Sequence, residues 1–411
     1  MNILFISRNS PFTSVGGIER YISNLIAYFQ INQKNSRLYL MLPGDDNKIQ
    51  KMENVTIIHD ECLFLSRNNV PSQKEISQKA VEFAKVTKNI IKDHNINIIC
   101  CESFHTDLPA TFSLQIQLIA SVFALPIILQ LHSFAKNELQ TQLINELGWS
   151  KISCVSQSVA GDCFQKGAEI NRLSIHYLGV DTDTFTQDLQ NQKSLKKRLS
   201  IPINNKIILT ATRIIGGRKN ILKEKGVVNL IAAFSSIAKR YPEFKLLIAV
   251  GTPPKNLKIE FQLAMDMLKG YLQLYEISNQ TIIKTFKLHE MPLIYQGSDL
   301  FVLASQNETF GQVFIEGMSS GVAVIGTKVG GIPEIISDNY NGLLVEPDDA
   351  SILVQKIEKM MTNDDFRQKL ILNGQKTVKE KFSSKMQFDS FYVMLKNTIS
   401  AHKSNNFRTN L

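Results

Sequence analysis

Glu308 and Glu316 stand eight positions apart in "SQNETFGQVFIEGMSSG" (305–321), on either side of the pair Phe310-Gly311. "DLFVLAS" is short and apolar, as a strand is, "QNET" is a polar turn, and the spacing of "GQVFIEGMSSG" predicts a helix of about three turns closed by Gly321. Strand, loop and helix in that order point the free N–H groups of the helix start at whatever lies beyond the strand end. Gly311 lets a ligand approach the backbone. The amides of Gly311, Gln312 and Val313 then form an anion site, with a stabilisation of about 0.3 to 1 kcal/mol when exposed and about 2 kcal/mol when partly buried. A phosphate is the natural occupant. Carboxylates beside it would repel it, so Glu308 and Glu316 are expected to accept hydrogen bonds from neutral hydroxyls on its two flanks. A nucleoside diphosphate sugar has that layout: sugar hydroxyls, two phosphates, then a ribose diol, which dinucleotide folds also hold with an acid.

Those residues need strands and helices to place them, and the chain supplies both in alternation. Runs rich in Ile, Val and Leu alternate with amphipathic stretches, the rhythm of strand and crossover helix in a parallel sheet. "NILFIS" (2–7), "RLYLML" (37–42), "NVTIIH" (54–59), "INIICC" (96–101), "PIILQL" (126–131), "KISCVS" (151–156) and "LSIHYL" (173–178) form one series. "KIILTAT" (206–212), "KLLIAV" (245–250), "TIIKTF" (281–286), "DLFVLA" (299–304), "AVIGT" (323–327) and "GLLVE" (342–346) form a second. Each starts afresh with an apolar strand and a polar turn, so the expectation is an α/β chain of two Rossmann-like domains, 1–190 and 191–380. The polar stretch 181–205 between them is expected to be linker and hinge. The tail is expected to be helical from 364, and residues 381–411 to cross back to the first domain as a C-terminal helix.

The bulk properties narrow the classes. A chain of 411 residues suits two domains rather than one core. The first twelve residues lack the basic start and long apolar run of a signal peptide. The longest apolar stretch, "LIASVFALPIILQL" (118–131), is broken by Ser121, Pro126 and Gln130, and reads as helix then strand, not a membrane span. Five cysteines in no regular framework fit a reducing cytosol. Residues 191–411 carry 30 Lys/Arg against 19 Asp/Glu, while residues 1–190 carry 16 against 18. An anionic ligand is therefore expected by the second half. No basic run is interleaved with aromatics, so nucleic acid is not expected as a partner.

"SDLFVLASQNETFGQVFIEGMSSGVAVIGTKVGGIPEII" closely resembles the donor-binding segment of family 4 glycosyltransferases, retaining enzymes of the GT-B fold, in which two Rossmann-like domains face each other across a cleft. The family's E-x7-E signature falls on Glu308 and Glu316. The resemblance implies that Glu308 faces the donor sugar, Glu316 the ribose, and the amides after Phe310 the distal phosphate. An ordinary amphipathic helix with two exposed acids would not account for Gly330, Gly331 and Pro333 in "VGGIPE". A diphosphate leaving group gains charge as its bond to the sugar breaks, which calls for fixed cations. The family's arginine and lysine fall on Arg213 and Lys225 in "TATRIIGGRKNILKEKGVVNLIAAF". The loop between them is longer than usual and carries Arg218, Lys219 and Lys223, so Arg218 competes with Arg213 for the arginine's role. "KGVVNLIAAF" aligns without a gap.

In the first domain "SVGGIERYISNLIAYF" (14–29) resembles the family's glycine loop, which implies that Gly16 and Gly17 lie near the diphosphate and the acceptor. His132, in "LQLHSF", matches a histidine that faces the donor sugar, and His105 also stands at a strand end. The resemblance implies a retaining transferase of hexosyl or hexosaminyl groups, cytoplasmic or at the inner face of the plasma membrane, in cell-surface glycan or glycolipid biosynthesis. It implies a nucleotide sugar as donor, a UDP-sugar foremost, a glycan or lipid-linked acceptor, and no cofactor or metal. "VDTDTF" (180–185) holds a DxD pattern that binds metal in another fold, but here it matches a structural turn. Two rivals are a nucleotide-sugar epimerase of the same fold and a non-catalytic partner subunit. Peripheral membrane contact would rest on "QKAVEFAKVTKNIIKDH" (78–94), whose lysines at 79, 85, 88 and 92 are read first as a solvated face over a packed one.

Overall fold

Runs of branched apolar residues become parallel strands here because helices cover both faces of each sheet. The computed structural model describes residues 1–12, 16–44, 48–64, 71–214, 221–253 and 257–409. The chain divides into two units, residues 1–178 together with 384–411, and residues 179–383.

The first unit is built on β1 (Asn2–Ile6), β2 (Arg37–Pro43), β3 (Ile49–Met52), β4 (Val55–Asp60), β5 (Ile98–Glu102), β6 (Ile127–Leu131), β7 (Lys151–Cys154) and β8 (Leu173–Ile175). Their order across the sheet is β3-β4-β2-β1-β5-β6-β7-β8. All pairs are parallel except β3 with β4. The central strand β5 is buried along its whole length. The strand order reverses between β1 and β5, so residues just after those two strands occupy the crevice where doubly wound sheets bind ligands. The helix Gln73–His94 buries Ala80, Phe83, Ala84, Ile90 and Ile91 and leaves Lys85, Lys88 and Lys92 exposed, which is core packing under a solvated lysine face. No helix among the described residues is long and apolar enough to cross a membrane.

The helix Ser384–Thr409 completes this first unit. It packs on the helix Gly17–Asn32 and the turn that follows: Tyr28 donates to Asp389 at 2.6 Å, Ser36 of the turn and Tyr392 share a hydrogen bond of 2.6 Å, and the Phe388 ring lies 5.3 Å from both Tyr21 and Tyr28.

The second unit holds β9 (Lys206–Thr212), β10 (Phe244–Gly251), β11 (Thr281–Phe286), β12 (Leu300–Leu303), β13 (Ala323–Thr327) and β14 (Leu343–Val345). All are parallel, in the order β11-β10-β9-β12-β13-β14. The order reverses between β9 and β12, and that fixes where its functional loops converge. Its core is apolar, with Leu230, Ile231 and Phe234 of the helix Val227–Ala238 against Ile208, Leu246, Val302 and Ile325 of the sheet.

Three features differ from the expected layout. The first unit ends at Leu178, ahead of residue 190, and residues 381–383 belong to the second unit. The stretch expected as linker contains the helix Leu189–Arg198, capped by Asp188 and anchored by one apolar side chain, Leu195, which is wholly buried. Leu195 fits because the facing residue is Gly297, where a Cβ would lie 2.4 Å from it. The strand β3 was not expected, because its residues alternate between exposed and half-buried at a sheet edge and show no apolar run.

Candidate functional site: a glycine-strapped Lys-Glu pair at a sheet switch point

Lys225 and Glu308 meet because a glycine allows it. Gly226 opens the helix Val227–Ala238 with φ +66, and a Cβ there would stand 1.8 Å from the carbonyl oxygen of Ala304, just past β12. Only a residue without a side chain permits that approach, and it pulls Lys225 to the carboxyl end of β12. The Gln306 amide adds a second strap by donating to the Glu224 carbonyl at 2.9 Å. Lys225 Nζ consequently lies 3.4 Å from Glu308 Oε2, with both side chains about three-quarters buried (27% and 20% exposed). An ammonium has three N–H bonds and a carboxylate two oxygens, so each group retains capacity for a ligand.

The other side of the loop is held by "VGG". Gly330 has φ +52, and a Cβ on it would fall 1.6 Å from the Glu308 carbonyl oxygen. Gly331 donates its N–H to that same oxygen at 3.1 Å. Pro333 lies in the first turn of the short helix Ile332–Ile335, where its missing N–H costs nothing. The glycines and proline thus act as the mould for the segment Glu308–Phe310.

Gly311, at φ +102, starts the helix Gln312–Ser319. The first N–H to find an acceptor within that turn is that of Phe314, which returns to the Gly311 carbonyl at 2.9 Å. The amides of Gly311, Gln312 and Val313 therefore precede the helical hydrogen-bond ladder, as an anion site requires. The Phe310 ring is core, 5.9 Å from that of Phe382, so this residue can serve a ligand only through its backbone. Glu316 has no solvent exposure, and one of its oxygens accepts from the Tyr295 hydroxyl at 3.2 Å. It therefore differs from Glu308, which faces Lys225 at the loop.

Arg213 directly follows β9 and is exposed, its stem beside Gly251 at the end of β10. Arg218 and Lys219 lie outside the described residues. Lys223 is exposed at the end of the short helix Ile221–Glu224. In "VDTDTF" the first aspartate is occupied locally: Asp181 accepts from the Thr184 hydroxyl at 2.5 Å and from the Asp183 amide at 3.1 Å.

In the first unit Gly16 caps the helix Gly17–Asn32 in extended conformation. His132 immediately follows β6, with its Nε2 buried and lacking a hydrogen-bond partner among the described residues. Burial, with a smaller push from His105, lowers its pKa to about 3, so the imidazole is neutral at physiological pH. Its ring meets Tyr21 edge-on at 5.2 Å. His105 is buried, hydrogen-bonded through Nε2 to the Ser133 carbonyl at 3.3 Å, and is likewise held neutral by burial, at about 4.

The sequence reading missed a polar cluster at the β1/β5 reversal. Glu102, the last residue of β5, is fully buried, and its Oε2 accepts from Ser7 at 2.7 Å and from Asn9 at 3.2 Å. Asn9 also donates to Asp107 at 2.7 Å. The available signal was an acid closing an otherwise apolar run. Burial, reinforced by the nearby Asp107 carboxylate, raises the Glu102 pKa from its ordinary 4.5 to about 8. The folded chain therefore keeps a proton that the unfolded chain releases, and this stabilisation is lost as pH rises from about 4.5 through about 8. Glu102→Gln is expected to unfold at a higher temperature than the parent at about pH 9 and at nearly the same temperature at about pH 5. Thermal melts at the two pH values check it. Equal differences at both would contradict the buried acid's proton linkage.

Two sheets of mainly parallel strands, each with one reversal of strand order, make up a fold of the GT-B type. Comparison with known proteins finds that residues 194–377 match the family model Glycosyl transferases group 1. The capsular polysaccharide biosynthesis glycosyltransferase CapM of Staphylococcus aureus is 30% identical over 197 residues, 46% of this chain and 49% of CapM. The chain thus spans about half the length of that relative. A glycosyltransferase from Rickettsia africae superimposes with a TM-score of 0.78 at 21% identity, covering 97% of this chain and 98% of that one. Alr3699/HepE from Anabaena, solved in complex with UDP and glucose, gives 0.74 at 17% identity, covering 97% and 100%. At those identities the two structures show a shared fold.

Proposed function

We propose that the chain transfers a sugar from a nucleoside diphosphate sugar, a UDP-sugar foremost, to an acceptor hydroxyl with retention, in the biosynthesis of a cell-surface glycan or glycolipid. The single observation that carries this reading is Lys225 Nζ at 3.4 Å from Glu308, set beside helix-start amides at the β9/β12 reversal. HepE, which shares the fold, was solved with UDP and glucose, and CapM is named for capsular polysaccharide biosynthesis. Glu308 accepts hydrogen bonds from the donor sugar, Glu316 from the ribose diol, and Arg213, Lys225 and the amides of Gly311 to Val313 bind the diphosphate. His132, neutral, positions the sugar, and Gly16 and Gly17 present helix-start amides from the first unit. The bond from the sugar carbon to the phosphate oxygen breaks while the acceptor oxygen bonds that carbon on the same face. The acceptor's proton passes to the departing phosphate, whose charge the cations and amides stabilise. The helix Gln73–His94 lends membrane contact no separate support, since its apolar face is core.

Incubation with labelled UDP-sugars tests the reading. Release of UDP with transfer of label to an acceptor, or to water in its absence, is expected. Isomerisation of the sugar without UDP release would identify an epimerase instead. Glu316→Ala is expected to weaken donor binding about 10-fold or more, since a hydrogen bond to a charged group is lost. Titration calorimetry with the donor checks it, and unchanged affinity would remove the ribose assignment.

A further inference from the structure

We propose that Tyr295 is a positioning residue that sets the Glu316 carboxylate for the ribose diol, and that Phe185 holds Tyr295 in place. The proposal rests on the reading of Glu316 as the ribose acid. Tyr295 is wholly buried and donates its hydroxyl to Glu316 Oε2 at 3.2 Å. Its ring packs edge-on to Phe301 at 5.5 Å and tilted to Phe185 at 6.2 Å. A carboxylate can swivel about its last bond, and a donor locked on one oxygen fixes the direction of the other.

Phe185 is fixed by the turn that resembles a metal motif. Its N–H donates to the Asp181 carbonyl at 2.9 Å, while the Asp181 carboxylate takes the Thr184 hydroxyl and the Asp183 amide. The acidic turn thereby has a positional purpose. It directs an aromatic ring onto the tyrosine behind Glu316, and the segment entering the second unit is tied to nucleoside recognition.

The test measures a ratio that general loosening would not move. The full chain is titrated with UDP and with 2′,3′-dideoxy-UDP, or with the matching pair for whichever common nucleoside diphosphate most raises its melting temperature. The parent is expected to prefer the ribonucleotide about 10- to 100-fold. Tyr295→Phe, which keeps the ring, is expected to cut that preference at least about threefold while leaving affinity for the dideoxy form unchanged. Phe185→Leu is expected to cut it in the same direction by less, and carries the test should Tyr295→Phe fail to fold. A full preference retained in the variants, or an equal loss of both affinities, overturns the proposal. A parent without any preference, or without binding to any of the diphosphates, overturns the ribose reading of Glu316 and the proposal together.

Discussion

Lys225→Ala is expected to lower turnover about 100- to 1000-fold, the loss seen when a single preorganised stabiliser of developing charge is removed. On the proposed reaction the charge that Lys225 meets is largest when the diphosphate departs, so the effect is expected to fall mainly on kcat and less on donor affinity. Two properties of the site support so large a figure. The Lys225 side chain is about three-quarters buried, which strengthens its field relative to a solvated lysine, and Gly226 and the Gln306 strap fix the segment that carries it. The variant also leaves Glu308 without its cation. Lys223→Ala, an exposed neighbour, serves as control and is expected to be close to neutral. Steady-state kinetics on the identified donor provide the measurement, and a loss under about tenfold would remove Lys225 from the chemistry.

Gly330→Ala is expected to abolish most activity without touching any residue assigned to the donor. Its backbone has φ +52, which costs an alanine roughly 1 to 2 kcal/mol. The larger effect is steric, because the added Cβ would fall 1.6 Å from the Glu308 carbonyl oxygen. Backbone must move, and the backbone that moves carries Glu308. A displacement on the order of 1 Å can cost about 100-fold in rate, so a loss of that size or greater is expected together with a lower melting temperature. A variant that keeps full activity would show that the loop is not moulded by "VGG".

Much of the second unit was legible because its signals are local. Strand, turn and helix follow one another within "DLFVLASQNETFGQVFIEGMSSG", and the glycines of "VGGIPE" fall where close backbone approach needs them. Lys225 could be read for the same reason, since Gly226 and the apolar helix follow at once. What escaped depends on contacts distant in sequence. Tyr295 reaches Glu316 from another helix, and no spacing within "MPLIYQGSDLF" announces it. Glu102 gathers Ser7 and Asn9 from the loop after β1, a partnership made only by strand order. The helix Leu189–Arg198 was hidden because one leucine and a matching glycine replace the apolar stripe that periodicity detects.

The first unit takes one of its walls, the helix Ser384–Thr409, from beyond the whole of the second. On the ribosome this inverts the usual order of maturation. Residues 179–383 can close their sheet as soon as they emerge, whereas the half made first must wait, with Tyr21 and Tyr28 still uncovered, until the residues from Ser384 onward have been translated.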